Sequence, residues 1–237
     1  MHKYEVISIE IKTRIKDGYY PIDQPIPDEV SLAKEFSCSR MTLKRALDLL
    51  VMEGLVYRKR GHGTFIIKST IHDNQVSVID DSIVGLTKLL EGRRIVSEII
   101  KFEVQFPSEE VAAYLSVARD SPVYHIIRLR NVEGEPYVIE HTYMPLSLIT
   151  GITEEVLQNS VYTHITDTLG LKIGSSHRKI RACKSNELDQ QYLKCEKDDP
   201  ILEVEYVGYV NTGDPFEYSF SRHRYDKFVY TTVNIKR

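Results

Sequence analysis

Two arginines, Arg128 and Arg130 in the stretch RLRNVEGEPYVIEHTYMP, are the residues whose type and spacing most directly suggest chemistry. Two apart on a strand, they project to one face. Side by side, two guanidiniums repel unless something anionic answers them. Their forked donors suit phosphate or carboxylate in bidentate fashion. Glu140 lies on the following strand. If the connecting loop is Glu133-Gly134-Glu135, Arg128 stands opposite Glu140; a two-residue loop places Ile139 there instead. The plain alternative to an anion site is a cross-strand salt bridge.

A second constellation is basic and lies near the start of the chain. SRMTLKRALDLLVMEG places Leu43, Ala46, Leu47 and Leu50 at helical spacing, one apolar stripe. Arg40, Met41, Lys44, Arg45 and Asp48 fall away from that stripe. Ser39 can cap the helix, and its first turn with Ser39, Arg40 and Thr42 offers hydroxyls, N–H groups and a cation to phosphate oxygens. Lys44 and Arg40 can reach guanine O6 and N7 in a major groove. YRKRGHGTF follows, with Arg58, Lys59 and Arg60 as cations for phosphates and a glycine pair for a tight turn. It is no phosphate loop, because GxxxxGK[ST] between a strand and a helix is missing.

Catalysis has little to stand on. HExxH, GxSxG and CxxC patterns are absent, and Glu140 beside the arginines completes no catalytic set. We expect no enzyme activity, no metal and no cofactor. Three scattered cysteines, Cys38, Cys183 and Cys195, suit a reducing cytoplasm better than a disulfide framework. The sequence shows no signal-like apolar start and no run long enough to span a membrane. A soluble cytoplasmic protein is expected. The net charge of −3 hides an asymmetry: residues 1–70 hold 12 basic and 9 acidic residues, the remainder 19 and 25. That division suggests two jobs.

The elements that must position these residues are readable by period. A helix from Tyr4 towards Gly18, a proline-broken connection, a helix capped by Asp28 and the leucine-striped helix precede a hairpin of LVYRK and TFII joined by RGHG. Helix, helix, turn, helix and hairpin is the winged helix-turn-helix order. Residues 68–81 are polar and without period and read as a linker. Beyond it, six alternating segments read as strands, with short helices at SEEVAAYL, YTHITDTLG and NELDQQYL. The fold class expected is α+β, with an N-terminal winged helix-turn-helix (1–68), a linker (69–81) and a C-terminal α+β domain on a mainly antiparallel sheet (82–237).

Residues 3–66 carry more than a pattern. The core SR-T-L-K-RAL and the terminal GHGTF resemble the N-terminal domain of the GntR family of bacterial transcription regulators. The resemblance implies that Ser39, Arg40, Thr42, Lys44 and Arg45 face a double-stranded, pseudo-palindromic operator. It places the wing tip, Arg60, Gly61, His62 and Gly63, towards the minor groove. It departs at Val30, where the family has an arginine, and this predicts a changed preference at one base step per half-site.

RLRNVEGEPYVIEHTYMP, SVYTHITDTLG and PFEYSFSRHRYDKF resemble the UTRA effector domain of the HutC-type subfamily, whose fold is similar to chorismate lyase. That resemblance implies a small-molecule effector, with a sugar phosphate the leading choice and a carboxylate metabolite or a lyase-like enzyme the alternatives. It assigns Ser82, Arg128, Arg130, Glu140, Ser160, Tyr162, Glu217 and His223 to the effector cavity. It also implies a homodimeric repressor with no membrane attachment.

Overall fold

The computed structural model describes residues 2–67, 77–78, 85–90 and 92–230. The chain divides into two compact units, Met1–Ser82 with Tyr230–Arg237, and Ile83–Val229.

The first unit has three helices and a hairpin: α1 (Lys3–Lys16), α2 (Glu29–Glu35), α3 (Arg40–Met52), β1 (Val56–Lys59) and β2 (Gly63–Ile66). Each start has a local cause. Asp28 accepts from the backbone of Val30 at 2.9 Å and Ser31 at 3.0 Å, closing the first turn of α2. Ser39 accepts from the Thr42 N–H at 3.1 Å and does the same for α3. The stripe Leu43, Ala46, Leu47 and Leu50 is buried against Ile7, Ile11 and Ile15 of α1 and Leu32 of α2. β1 and β2 pair antiparallel from Val56↔Ile66 to Lys59↔Gly63. Ile26 donates its N–H to the Thr64 carbonyl at 2.8 Å, so the proline-broken segment braces the hairpin.

The second unit is one antiparallel sheet with helices on both faces. Its strands are β3 (Ile95–Gln105), β4 (Val123–Val132), β5 (Glu135–Pro145), β6 (Ile173–Lys184), β7 (Pro200–Val210) and β8 (Pro215–Arg224), in the order β3-β4-β5-β8-β7-β6. The six strand segments read from the sequence are these six. One face buries Tyr124, Ile126 and Met144 under Ile152, Leu157, Val161 and Ile165. That cover includes α6 (Glu154–Gln158) and α7 (Val161–Thr163). The other face buries Val123, Val207 and Tyr218 under Val111 and Leu115 of α5 (Glu109–Leu115). Further along that face, Ile127, Leu129 and Ile139 pack on Leu193 and Cys195, beside α8 (Glu187–Tyr192). Burial on both sides explains why β4 is apolar at nearly every position where it does not carry the arginines. A short helix, α4 (Leu86–Leu89), was not foreseen from the sequence.

The β4–β5 connection resolves the register question. The turn is the two-residue Glu133-Gly134, both at positive φ (52° and 83°), with Val132 paired to Glu135. Such a turn alone would place Ile139 opposite Arg128. A bulge at Tyr137 inserts one residue, so Arg130 pairs with Val138 and Arg128 with Glu140.

Candidate nucleic-acid interface and effector site

At the start of α3 the Ser39 and Thr42 hydroxyls meet at 2.9 Å, which helps hold the helix terminus. Arg40, Met41, Lys44 and Arg45 are exposed on the side away from the buried stripe. Arg40 lies 3.9 Å from Glu29 of α2, so the first turns of α2 and α3 stand side by side. In the hairpin, Arg60, Gly61 and His62 form the exposed tip, with the His62 N–H donated to the Lys59 carbonyl at 2.9 Å. Gly63 needs its lack of side chain: φ is +111°, and a Cβ would stand 3.0 Å from Pro25.

Arg58 corrects one expectation. Its guanidinium pairs with Asp48, lies 3.7 Å from Glu29 and donates to the Lys44 carbonyl at 3.4 Å. It ties the wing strand to α3 and the start of α2 instead of standing free for a phosphate. Lys59 and Arg60 remain exposed.

In the second unit, Arg128, Arg130 and Glu140 meet. Arg128 donates to Glu140 at 2.7 Å and to the Leu157 carbonyl at 2.8 Å. Arg130 donates to the same Glu140 oxygen at 3.4 Å and to the Thr87 hydroxyl at 3.0 Å. The arginines are only 8% and 3% exposed, yet their Nε–H groups have no acceptor among the described residues. Burial alone pushes the Glu140 carboxyl upward; the two guanidiniums outweigh it and leave it below the ordinary carboxylate value. Two cations thus share one anion.

A second buried carboxylate adjoins this group. Glu217 accepts from Ser219 at 2.6 Å and from Tyr162 at 2.8 Å, and Tyr162 meets Tyr206 at 3.2 Å. Burial pushes the Glu217 carboxyl up, opposed by those hydrogen bonds; Glu140 also raises it and Arg128 lowers it. His223, paired across the strands with Val138, is stacked on Phe228 with ring centroids 3.9 Å apart. Burial brings its pKa down to about 3, so it is neutral, and its Nδ1 has no partner among the described residues.

The structure therefore brings Arg128, Arg130 and Glu140 into one cluster, with Tyr162 and Glu217 linked beside them. His223 borders it, close enough for Glu140 to act on its charge. Ser160 is separate, its hydroxyl capping α7 by accepting from the Thr163 N–H at 3.2 Å. Ser82 lies outside the described residues. Thr87, Tyr206, Ser219 and the Leu157 carbonyl were missed. Ser219 carries a signal, two residues from Glu217 on one strand; the others arrive from distant segments and carry none. Among the described residues no group of three or more His, Cys, Asp or Glu could hold a metal ion, and no helix is long and apolar enough to cross a membrane.

A reading head of three helices and a wing, joined in one chain to a sheet with a polar buried cluster, defines a two-domain regulator of transcription. Residues 3–66 match the bacterial regulatory proteins of the gntR family, and residues 90–229 match the UTRA domain. The chain belongs to the GntR family and carries a UTRA effector domain. It is 65% identical over 237 residues to the HTH-type transcriptional regulator GmuR of Bacillus subtilis (strain 168), covering all of both chains. It is 30% identical to the HTH-type transcriptional repressor NagR of the same organism, over 96% of this chain and 92% of that one. A crystal structure of the possible transcriptional regulator YydK, from Bacillus subtilis subsp. subtilis str. 168, superposes with a TM-score of 0.81. It is 28% identical and covers 99% of this chain and 100% of its own.

Proposed function

We propose that this regulator is a homodimeric repressor released from its operator by a small anionic effector, a sugar phosphate first among candidates. The observation that carries the effector reading is the charge imbalance at Arg128 and Arg130 among the described residues: two buried guanidiniums, one shared carboxylate, and two Nε–H groups without acceptors. A phosphate or carboxylate would answer the surplus charge. Glu217, Tyr162 and Tyr206 offer donors and acceptors suited to hydroxyl groups on the same ligand. The name of the relative NagR supports repression.

On the DNA side, Ser39, Arg40, Thr42, Lys44 and Arg45 supply the major-groove face of α3. Arg60, Gly61, His62 and Gly63 supply a wing tip whose backbone can approach the duplex closely. Two copies related by a two-fold axis would read a pseudo-palindrome, with half-sites about one helical turn (~34 Å) apart. Coupling between effector and operator sites is typically about 1–3 kcal/mol, enough to change affinity roughly 5- to 150-fold.

The test is a gel-shift titration on the DNA upstream of its own coding sequence, with a panel of sugar phosphates and their unphosphorylated parents. A phosphorylated member should release the wild-type protein and fail to release Arg128→Ala. Release by the unphosphorylated parents alone, or unaltered release of Arg128→Ala, would refute the anionic-effector reading.

A further inference from the structure

The exposed face of α3 is not uniformly cationic. Met41 stands at its centre, 63% exposed, with Lys44 and Arg45 three and four residues on. The buried stripe Leu43, Ala46, Leu47 and Leu50 faces the opposite way, so Met41 contributes nothing to the core. A second exposed aliphatic residue, Val30, 44% exposed, occupies the first turn of α2. Its neighbour Glu29 lies within 3.9 Å of Arg40 and 3.7 Å of Arg58. The first turn of α2 therefore belongs to the same surface as the start of α3 and the base of the wing.

Single exposed apolar residues are ordinary on protein surfaces. These two differ in being set among Arg40, Lys44 and Arg45, on a face offered to a polyanion. The edges of the bases in a major groove are polar, with one apolar group among them, the C5 methyl of thymine. Methionine, long and unbranched, adapts to such a contact, and its thioether competes for no hydrogen bond the bases need. The cations one turn away suit guanine O6 and N7.

We infer that Met41 and Val30 are specificity determinants that read thymine methyl groups in each half-site, beside guanines read by Arg40, Lys44 or Arg45. This rests on α3 being the major-groove element. Because side chains three and four residues apart lie about 5–6 Å from one another, the thymine read by Met41 should fall within a base step or two of such a guanine. Val30 replaces with an apolar contact whatever hydrogen-bonded readout a polar side chain would make there.

The experiment begins with selection of duplexes from a random pool by the full-length chain. Each thymine of the selected half-site is then replaced by deoxyuridine, which deletes only the methyl group. Burying one methyl should be worth about a fourfold change in Kd. Wild type should lose about that at one or two positions per half-site. Met41→Ala should bind thymine and deoxyuridine alike at one of them, and Val30→Ala at the other. Both residues are exposed, so these variants should fold, and an unchanged thermal midpoint checks that. Val30→Arg should turn the selected thymine at its step into guanine.

Affinity insensitive to every deoxyuridine overturns the inference while leaving DNA binding intact. A penalty that persists undiminished in both alanine variants does the same. Failure to select any duplex would overturn the reading face itself.

Discussion

Replacing Glu140 by glutamine keeps the side chain's size and one hydrogen-bond acceptor but removes the carboxylate that Arg128 and Arg130 share. Their nitrogens lie 2.7 and 3.4 Å from it, which puts the charge centres about 4 Å apart. At an effective dielectric of about 20 each attraction is worth about 4 kcal/mol. Relaxation and water entry recover part of that loss, and breaking a buried pair usually costs about 3–5 kcal/mol. For a unit of this size the loss should lower the thermal midpoint by roughly 6–20 °C. The assay is thermal unfolding followed by circular dichroism, with and without millimolar phosphate. Glu140→Gln removes the carboxylate paired to both cations, so phosphate should raise its midpoint more than that of wild type. A variant within about 1 kcal/mol of wild type, gaining nothing from phosphate, would show that the arginines are satisfied without an anion.

Lys59→Ala should weaken operator binding about equally for all sequences and reduce the salt slope by about one, since it can only meet phosphate. Arg58→Ala should instead lower the stability of the DNA-reading unit, by up to about 1 kcal/mol for each exposed pair it loses, as read by urea unfolding. Gly63→Ala should destabilise that unit by about 1–3 kcal/mol, because alanine resists the positive φ and its Cβ meets Pro25. As pH falls from about 6.5 towards 3, the unfolded chain takes up a proton that His223 refuses in the folded state. That group alone should cost up to about 1.4 kcal/mol per pH unit. Glu217, raised by burial, works in the opposite sense, adding stability at low pH that is lost as pH rises. His223→Gln should flatten the acid limb of stability against pH; an unchanged slope would mean the imidazole protonates freely.

What could be read from the sequence was local. The stripe of α3, the caps Asp28 and Ser39 and the wing turn depend on residues within a few positions, and each formed as its spacing implied. Arg58 did not behave as its neighbours suggested, because Asp48 is ten positions away and meets it only when the hairpin folds back on α3. In the effector unit, Arg128 and Arg130 were visible by alternation and Glu217 and His223 by resemblance. Tyr206 and Thr87 were not, because a long-range partner leaves no periodic trace. Which of Glu140 and Ile139 faces Arg128 was decided by the bulge at Tyr137 and not by the loop length, and a bulge leaves no mark in the alternation.

The bulge at Tyr137 makes the cluster a matter of counting as well as of chemistry. The Glu133-Gly134 turn fixes where β5 begins, and the extra residue at Tyr137 sets its phase. Straightening the bulge without removing a residue would keep every charged side chain of the cluster while sending Glu140 to the reverse face and bringing Ile139 against Arg128, whereas deleting Tyr137 itself would leave Arg128 opposite Glu140. Two chains with the same arginines and the same glutamate could then differ in whether they hold a ligand at all. In comparing relatives, the spacing from Arg130 to Glu140 is accordingly a character to read together with the bulge, alongside the residue identities.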